Sequence, residues 1–266
     1  MKRNLSIITV FLTIITYSCS TVPLTGRRQL KLVDDTQINQ SAAQSYRQLL
    51  SDPKTMVINS GNDEQRVKRV GSQLAAAIES YLKTNGYGDQ YAFNWEFNLI
   101  KSNEVNAWCM PGGKVAVYSG LMPLARTDAE LATVMGHEIG HAVARHSAER
   151  ISQQLAVQGL GGVVGVASDN QSEVTQTIVN QLYGVGGQLI LLKYSRNQES
   201  EADRLGLTFM ALAGYDPHAA LGFWQEMSNQ NKGGSPPELL STHPADATRI
   251  ADIQKRIPDA MKYYKH

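Results

Sequence analysis

The chain has 266 residues, 42% of them apolar and 18% charged, with a formal net charge of +1. That is enough apolar material for one globular domain with a real core, plus short appendages. No block of lysines and arginines stands out, which argues against nucleic acid as a partner.

The first twenty residues differ in kind. Lys2 and Arg3 precede an apolar run from Leu5 to Thr16, and Ser18-Cys19-Ser20 follows. A positive start, a short apolar stretch and a small-residue end make a secretory signal. The run is too short to span a bilayer permanently. The cysteine placed directly after it resembles a bacterial lipoprotein signal. Residues 1–18 would then be removed, and a lipid on Cys19 would hold the chain to a membrane. Ordinary signal cleavage is the alternative. Residues 19–34 are polar, carry Pro23, Gly26 and Arg27-Arg28, and read as a tether. The folded domain is expected over 35–266. Cys109, the other cysteine, lies in an apolar stretch and reads as a buried small hydrophobe. A Cys19–Cys109 disulfide is the alternative.

From Asp35 to about Leu82 the pattern is helical, with Val67, Val70, Leu74, Ile78 and Leu82 at helical spacing. Asn85-Gly86-Tyr87-Gly88 ends it. Phe93, Trp95, Phe97 and Leu99 then alternate with polar residues, as in a half-buried strand. Val105 to Met110 and Val115 to Tyr118 flank Pro111-Gly112-Gly113 and read as a hairpin. Thr127 and Glu130 form a capping box, which places a helix start near Asp128. The Gly-rich stretch from Gln158 to Ala167 is open to two readings, a lid or a buried connector. A second long helix is expected from about Leu189 to Ala213, closed by Gly214. Asp216-Pro217 begins another. Residues 231–237 form a loop, and a terminal helix runs from about Ala245 to Lys262. There are no internal repeats.

The helix from Asp128 carries His137-Glu138-Ile139-Gly140-His141, an H-E-x-x-H motif. Residues four apart lie on one helix face, one turn above each other. Both imidazoles can therefore reach one Zn²⁺, and Glu138 can reach a water beside it as general base. Leu131, Val134, Met135 and Ile139 supply the apolar stripe of this helix. Gly136 and Gly140 weaken it by up to roughly 1 kcal/mol each relative to Ala, and let another backbone or a substrate come close. A catalytic zinc needs a third protein ligand. The pattern H-E-x-x-H-x-x-G-x-x-H is excluded, because Ala144 and Ser147 hold its last two defined positions. His146 is half a turn out of phase with His137 and reads as structural or surface. The better source is Glu199-Ser200-Glu201-Ala202-Asp203 on the later helix.

There the sequence resembles peptidase family M48, membrane-associated zinc metallopeptidases that pair H-E-x-x-H with a downstream E-x-x-A-D. Glu199, Ala202 and Asp203 match that second motif. Ser241-Thr242-His243-Pro244, followed by Arg249, matches a third segment of the family. Asn106 to Gly113 resembles its edge strand and turn. The resemblance implies an α+β, mostly helical zincin (gluzincin-like) fold with a small β-sheet hairpin beside the active-site helix. It implies His137, His141 and Glu199 as ligands of one Zn²⁺, and Glu138, Asp203 and His243 as catalytic residues. On physical grounds, Asp203 can hold a ligand histidine by its second ring nitrogen. His243 can stabilise an oxyanion or block the metal at rest. Glu201 faces elsewhere and is the fallback ligand.

These features imply a zinc endopeptidase acting on unfolded or misassembled envelope proteins. An exposed strand edge would take the extended substrate by β-augmentation. With the lipoprotein-like signal, they point to a lipid-anchored protein of the bacterial envelope, at the outer membrane and facing the periplasm, with other envelope proteins as partners. A chaperone-like outer-membrane assembly factor with self-inhibited or minor proteolysis is the alternative, and a closed structural zinc site is another.

Overall fold

The computed structural model describes residues 19–157, 194–230 and 237–265. The signal reading of residues 1–18, the Gly-rich stretch after Gln158 and the expected start of the second helix at Leu189 lie outside them. The fold is α+β and mostly helical, as expected. Its helices are α1 (Asp35–Ser51), α2 (Asn62–Thr84), α3 (Asp128–Val143), α4 (His146–Val157), α5 (Arg196–Leu212), α6 (His218–Gln230), α7 (Glu238–Thr242) and α8 (Ala247–Ala260). Its strands are β1 (Cys19–Thr21), β2 (Arg28–Leu30), β3 (Val57–Ile58), β4 (Glu96–Ile100), β5 (Ala107–Met110) and β6 (Lys114–Tyr118).

Four strands form one sheet in the order β3-β4-β6-β5. β4 runs parallel to β6, with Phe97 opposite Val115, and β5 is antiparallel to β6, with Ala107 opposite Val117. Pro111-Gly112 makes the turn between β5 and β6, closed by Gly113 N–H donating to the Met110 carbonyl at 3.2 Å. Gly112 and Gly113 have φ of +79° and +85°, a region that favours glycine. Both faces of the sheet are covered, which is why β5 and β6 are apolar on alternate residues of both registers. Val115, Val117, Ala107 and Cys109 enter the main core with α2 and α3. Ala116, Trp108 and Met110 pack on Ala42, Tyr46 and Leu49 of α1. Cys109 is a buried free thiol.

Several boundaries differ from the sequence expectation. The long helical stretch is two helices, because Asp52-Pro53 closes α1 and the chain crosses the sheet edge as β3 before Gly61, at φ +109°. The strand at Phe93 joins the ladder only at Glu96; before it, Phe93 and Trp95 stack at 4.3 Å in an extended run. α3 starts at Asp128 with Thr127 and Glu130 in a reciprocal capping box, as expected. α5 runs from Arg196, where Ser195 and Gln198 form a second capping box. It closes at Gly214, φ +84°, with Tyr215 N–H donating to the Met210 carbonyl and Gly214 N–H to the Ala211 carbonyl, a Schellman motif.

Residues 19–34 are not a free tether. β1 and β2 pair as a hairpin, with Thr21 opposite Arg28. Val22 is fully buried in the main core, and Val33 is buried too. Composition concealed this because the partners that fix the segment, such as Glu149 and Glu201 for Arg27, are far away in sequence.

α3 and α5 make the central contact of the domain. Glycines stand where they meet: a Cβ on Gly206 would lie 2.8 Å from His137 N, and one on Gly140 would lie 2.9 Å from the Ala202 carbonyl oxygen. The glycines beside the ligands therefore serve backbone approach. Gly206→Ala is expected to destabilise the fold by about 1–3 kcal/mol through overpacking, despite alanine's roughly 1 kcal/mol better helix propensity. Urea denaturation measures this, and a stabilised variant would show that the two helices do not need the close contact.

Candidate metal centre

His137 and His141 project from successive turns of α3, and Glu199 projects from the first turns of α5. His243 arrives from the end of α7. Donor atoms of these four buried residues lie within 4.8 Å of one another. The two Nε2 atoms of His137 and His141 are 3.2 Å apart. Glu199 Oε2 is 3.4 Å from His137 Nε2, and Oε1 is 3.4 Å from His141 Nε2. His243 Nδ1 is 3.2 Å from His137 Nε2 and 2.9 Å from Glu199 Oε1. A tetrahedron with arms of about 2.0–2.1 Å has edges of roughly 3.3–3.4 Å. These separations lie close to such edges, so the residues present fit one divalent ion, with His243 beside the other three donors.

The electrostatics agree with such a site. Burial holds the His141 imidazole well below its ordinary range, so it is neutral, as a ligand must be. Burial and Arg249 oppose a charge on His137, but Asp203 and Glu199 carry its pKa up to about 9. A bound cation would have to displace that proton. Burial would raise Glu199, yet His243, His137 and His141 around it hold its carboxyl far below the usual carboxylate range. Glu138 is raised, first by burial and then by Glu199. Its Oε1 is buried without a hydrogen-bond partner and lies 3.5 Å from His243 Nε2. A buried, unpaired carboxylate oxygen beside a cluster of metal donors is suited to take a proton from a water there.

A second layer holds the first. Asp203 Oδ1 is 2.9 Å from His137 Nδ1, the nitrogen that faces away from the centre. Arg249 grips Asp203 with two hydrogen bonds of 2.8 Å, donates to the His243 carbonyl at 3.0 Å and stacks 3.8 Å above the Trp224 ring. One guanidinium thus ties the Asp203 carboxylate to the backbone that presents His243. Burial would raise the Asp203 carboxyl, but Arg249 and His137 hold it low.

His146 departs from the sequence expectation. It is no ligand, but it does not point clear of the site. α3 ends at Val143, Arg145 takes a left-handed φ of +54°, and α4 begins anew at His146. Helical phase carries from His137 to His146 only along one continuous helix. With the break, His146 folds back until its Nδ1 is 2.8 Å from His141 Nδ1. Glu201 faces away from the centre, as expected, and meets His146 and Arg27. Tyr194 stacks on His141 with ring centroids 3.9 Å apart. Nothing in the local sequence of Tyr194, Trp224 or Arg27 signals these contacts. Asn106 is buried at the start of β5, its Oδ1 accepting from the Ala107 N–H.

The model of peptidase family M48 matches residues 62–257. The chain belongs to peptidase family M48. Among curated proteins, this M48 chain is 31% identical over 241 residues to the mitochondrial metalloendopeptidase OMA1 of Schizosaccharomyces pombe, covering 90% of the chain and 67% of that protein. It is 29% identical to the human mitochondrial metalloendopeptidase OMA1 over 249 residues, covering 90% of the chain and 46% of the human protein. It is 31% identical to the beta-barrel assembly-enhancing protease of Escherichia coli K12 over 172 residues, covering 61% of the chain and 34% of that protein. The chain thus spans about half the human relative and a third of the bacterial one. By family it is a metallopeptidase. Among the described residues, no helix is long and apolar enough to cross a membrane.

Two variants probe the centre. His141→Ala is expected to lose metal and stability together, and chelation should lower the melting temperature of the parent chain toward that of the variant. Stoichiometric metal in His141→Ala would remove this histidine from the ligand set. Asp203→Ala leaves Arg249 buried without its carboxylate and is expected to destabilise the fold by about 3–5 kcal/mol. A loss near zero in urea denaturation would mean that Arg249 finds another partner.

Proposed function

We propose that the chain is a zinc endopeptidase that cleaves unfolded or misassembled proteins of the bacterial envelope, with His243 closing the centre at rest. The single observation that carries this reading is the four-cornered donor cluster with the orphaned Glu138 oxygen beside it. His137, His141 and Glu199 would hold the ion. Bound there, zinc supplies Lewis acidity and lowers the pKa of water toward about 7.

The residues of the chain divide the remaining work. Glu138 accepts a proton from the water as it attacks the scissile carbonyl, and passes it to the leaving amine. Asp203 accepts from His137 Nδ1–H and so fixes which nitrogen faces the ion. His243 stands on the corner that a substrate would need, so it must withdraw for the reaction to start. Once displaced, its ring can donate to the oxyanion. Its short distance from Glu199 supports a closed resting state. β5 is an edge strand of the main sheet, and an extended polypeptide added along it would be read by its backbone rather than by one side chain. This suits a protease that acts on unfolded chains. Anchoring through a lipid on Cys19 and partnership with other envelope proteins belong to the same reading. The name of the Escherichia coli relative, a beta-barrel assembly-enhancing protease, supports the bacterial setting. Two of the relatives are named as mitochondrial metalloendopeptidases.

Glu138→Gln is expected to lower hydrolysis of an unfolded casein-type substrate by about 10²–10⁴-fold while zinc is retained. Undiminished hydrolysis would sink the protease reading. His243→Ala is expected to keep its zinc and to cleave the same substrate faster than the parent chain. A slower variant with zinc retained would assign His243 to the oxyanion and not to closure.

A further inference from the structure

Behind the metal-facing side of His141, a line of buried polar contacts leads away to the N-terminal hairpin. His141 Nδ1 is 2.8 Å from His146 Nδ1, and His146 Nε2 is 3.0 Å from Glu201 Oε2. Glu201 also accepts from Thr25 Oγ1 at 2.5 Å and from Arg27 Nε at 2.6 Å. The other end of Arg27 donates to Glu149 at 2.7 and 2.9 Å, and Gln198 Nε2 donates to that same carboxylate at 2.9 Å. His141, His146, Glu201 and Glu149 are all buried. Arg27 and Thr25 lie in the turn between β1 and β2, whereas the residues they reach belong to α4 and α5.

Two ring nitrogens 2.8 Å apart must share one hydrogen, and the rest of the line decides which ring carries it. Glu201, receiving hydrogens from Thr25 and Arg27, is an ionised acceptor. His146 therefore carries its hydrogen on Nε2, toward Glu201. A neutral His146 with that hydrogen on Nε2 presents a bare lone pair at Nδ1. The hydrogen between the rings must then sit on His141 Nδ1. His141 Nε2 is left as the bare nitrogen, and that atom faces Glu199 and His137.

We propose that His146 and Glu201, braced by Arg27 of the N-terminal hairpin, are positioning residues that lock His141 in its Nδ1–H tautomer and keep the Nε2 lone pair on the metal. The proposal rests on the reading of the cluster as a zinc site. It gives His141 the counterpart of what Asp203 gives His137, by a longer route: a neutral histidine as acceptor, a carboxylate behind it and an arginine behind that. It also makes the docked hairpin a part of the metal centre, although the hairpin lies over a hundred residues from either motif histidine in sequence.

The test measures zinc dissociation constants of the metal-stripped chain by chelator competition, with nitrogen-15 NMR of the histidine rings as a second readout. His146→Ala is expected to weaken zinc binding by about 10–100-fold. Arg27→Gln is expected to give a smaller loss in the same direction. His146→Asn, whose amide oxygen can accept the His141 Nδ1 hydrogen, is expected to recover most of the affinity. In the ring spectra, His141 should be the Nδ1–H tautomer in the parent chain and a mixture in His146→Ala. A folded His146→Ala with parent zinc affinity overturns the proposal, as does a variant that loses thermal stability alone. Where His146→Ala does not fold, Arg27→Gln, at a partly exposed position, decides by the same criterion. A parent chain that binds no zinc overturns the metal-centre reading instead, so the two failures are distinguishable.

Discussion

The site exists because two helix backbones come within van der Waals contact. α3 brings a pair of imidazoles and α5 a pair of carboxylates, and neither helix holds a ligand set by itself. Gly136 and Gly140 on one helix, and Gly206 on the other, remove the side chains that would keep them apart. With that approach, a carboxylate edge from Glu199 reaches both histidine nitrogens at 3.4 Å. A separation larger by one methyl group would leave the three donors around a hole too wide for a first-row ion. Each glycine weakens its own helix by about 1 kcal/mol relative to alanine, and that local loss is offset by the close contact.

Around the donors the fold supplies charge in matched layers. His137 is backed by Asp203, and Asp203 by Arg249 over Trp224. His141 is backed by His146, then Glu201, then Arg27 and Glu149. Each line alternates acceptor and donor, so buried carboxylates and guanidinium groups are paired throughout the centre. Glu138 is the exception, since one of its oxygens has no partner. An unsatisfied acceptor in an otherwise satisfied shell fits the proton-accepting part proposed for Glu138. His243 completes the picture from the other side. It is carried by the end of a short helix rather than by α3 or α5.

The motifs were legible from local pattern. The four-residue spacing of His137 and His141 sets one helix face regardless of tertiary context. The capping box at Thr127 set the start of α3, and Gly214 set the end of α5. The matching segments at Glu199, Asp203 and His243 pointed to a shared centre because resemblance carried what spacing could not. Less legible were the elements whose partners are distant. The β1–β2 hairpin looked like a polar tether because its burial depends on Val22 entering a core made by other segments and on Arg27 meeting Glu149 and Glu201. His146 looked misplaced because helical phase was extended through Arg145, where the backbone turns left-handed.

By itself, then, the sequence determined the helix that bears H-E-x-x-H, the second helix with its carboxylates, the hairpin beside them and the membership of a metallopeptidase family. The helices and the hairpin are short-range properties, fixed by helical and strand periodicity, caps and turn residues; the family was carried by the resemblance of separated motifs. The tertiary structure alone decided that His243 joins the donor cluster, that Arg249 joins Asp203 to the His243 backbone, and that the N-terminal hairpin reaches the back of His141. The long-range contacts among them join residues between 44 and 176 positions apart. No local pattern encodes them, because they form only when the core has closed and distant surfaces share one buried, low-dielectric space.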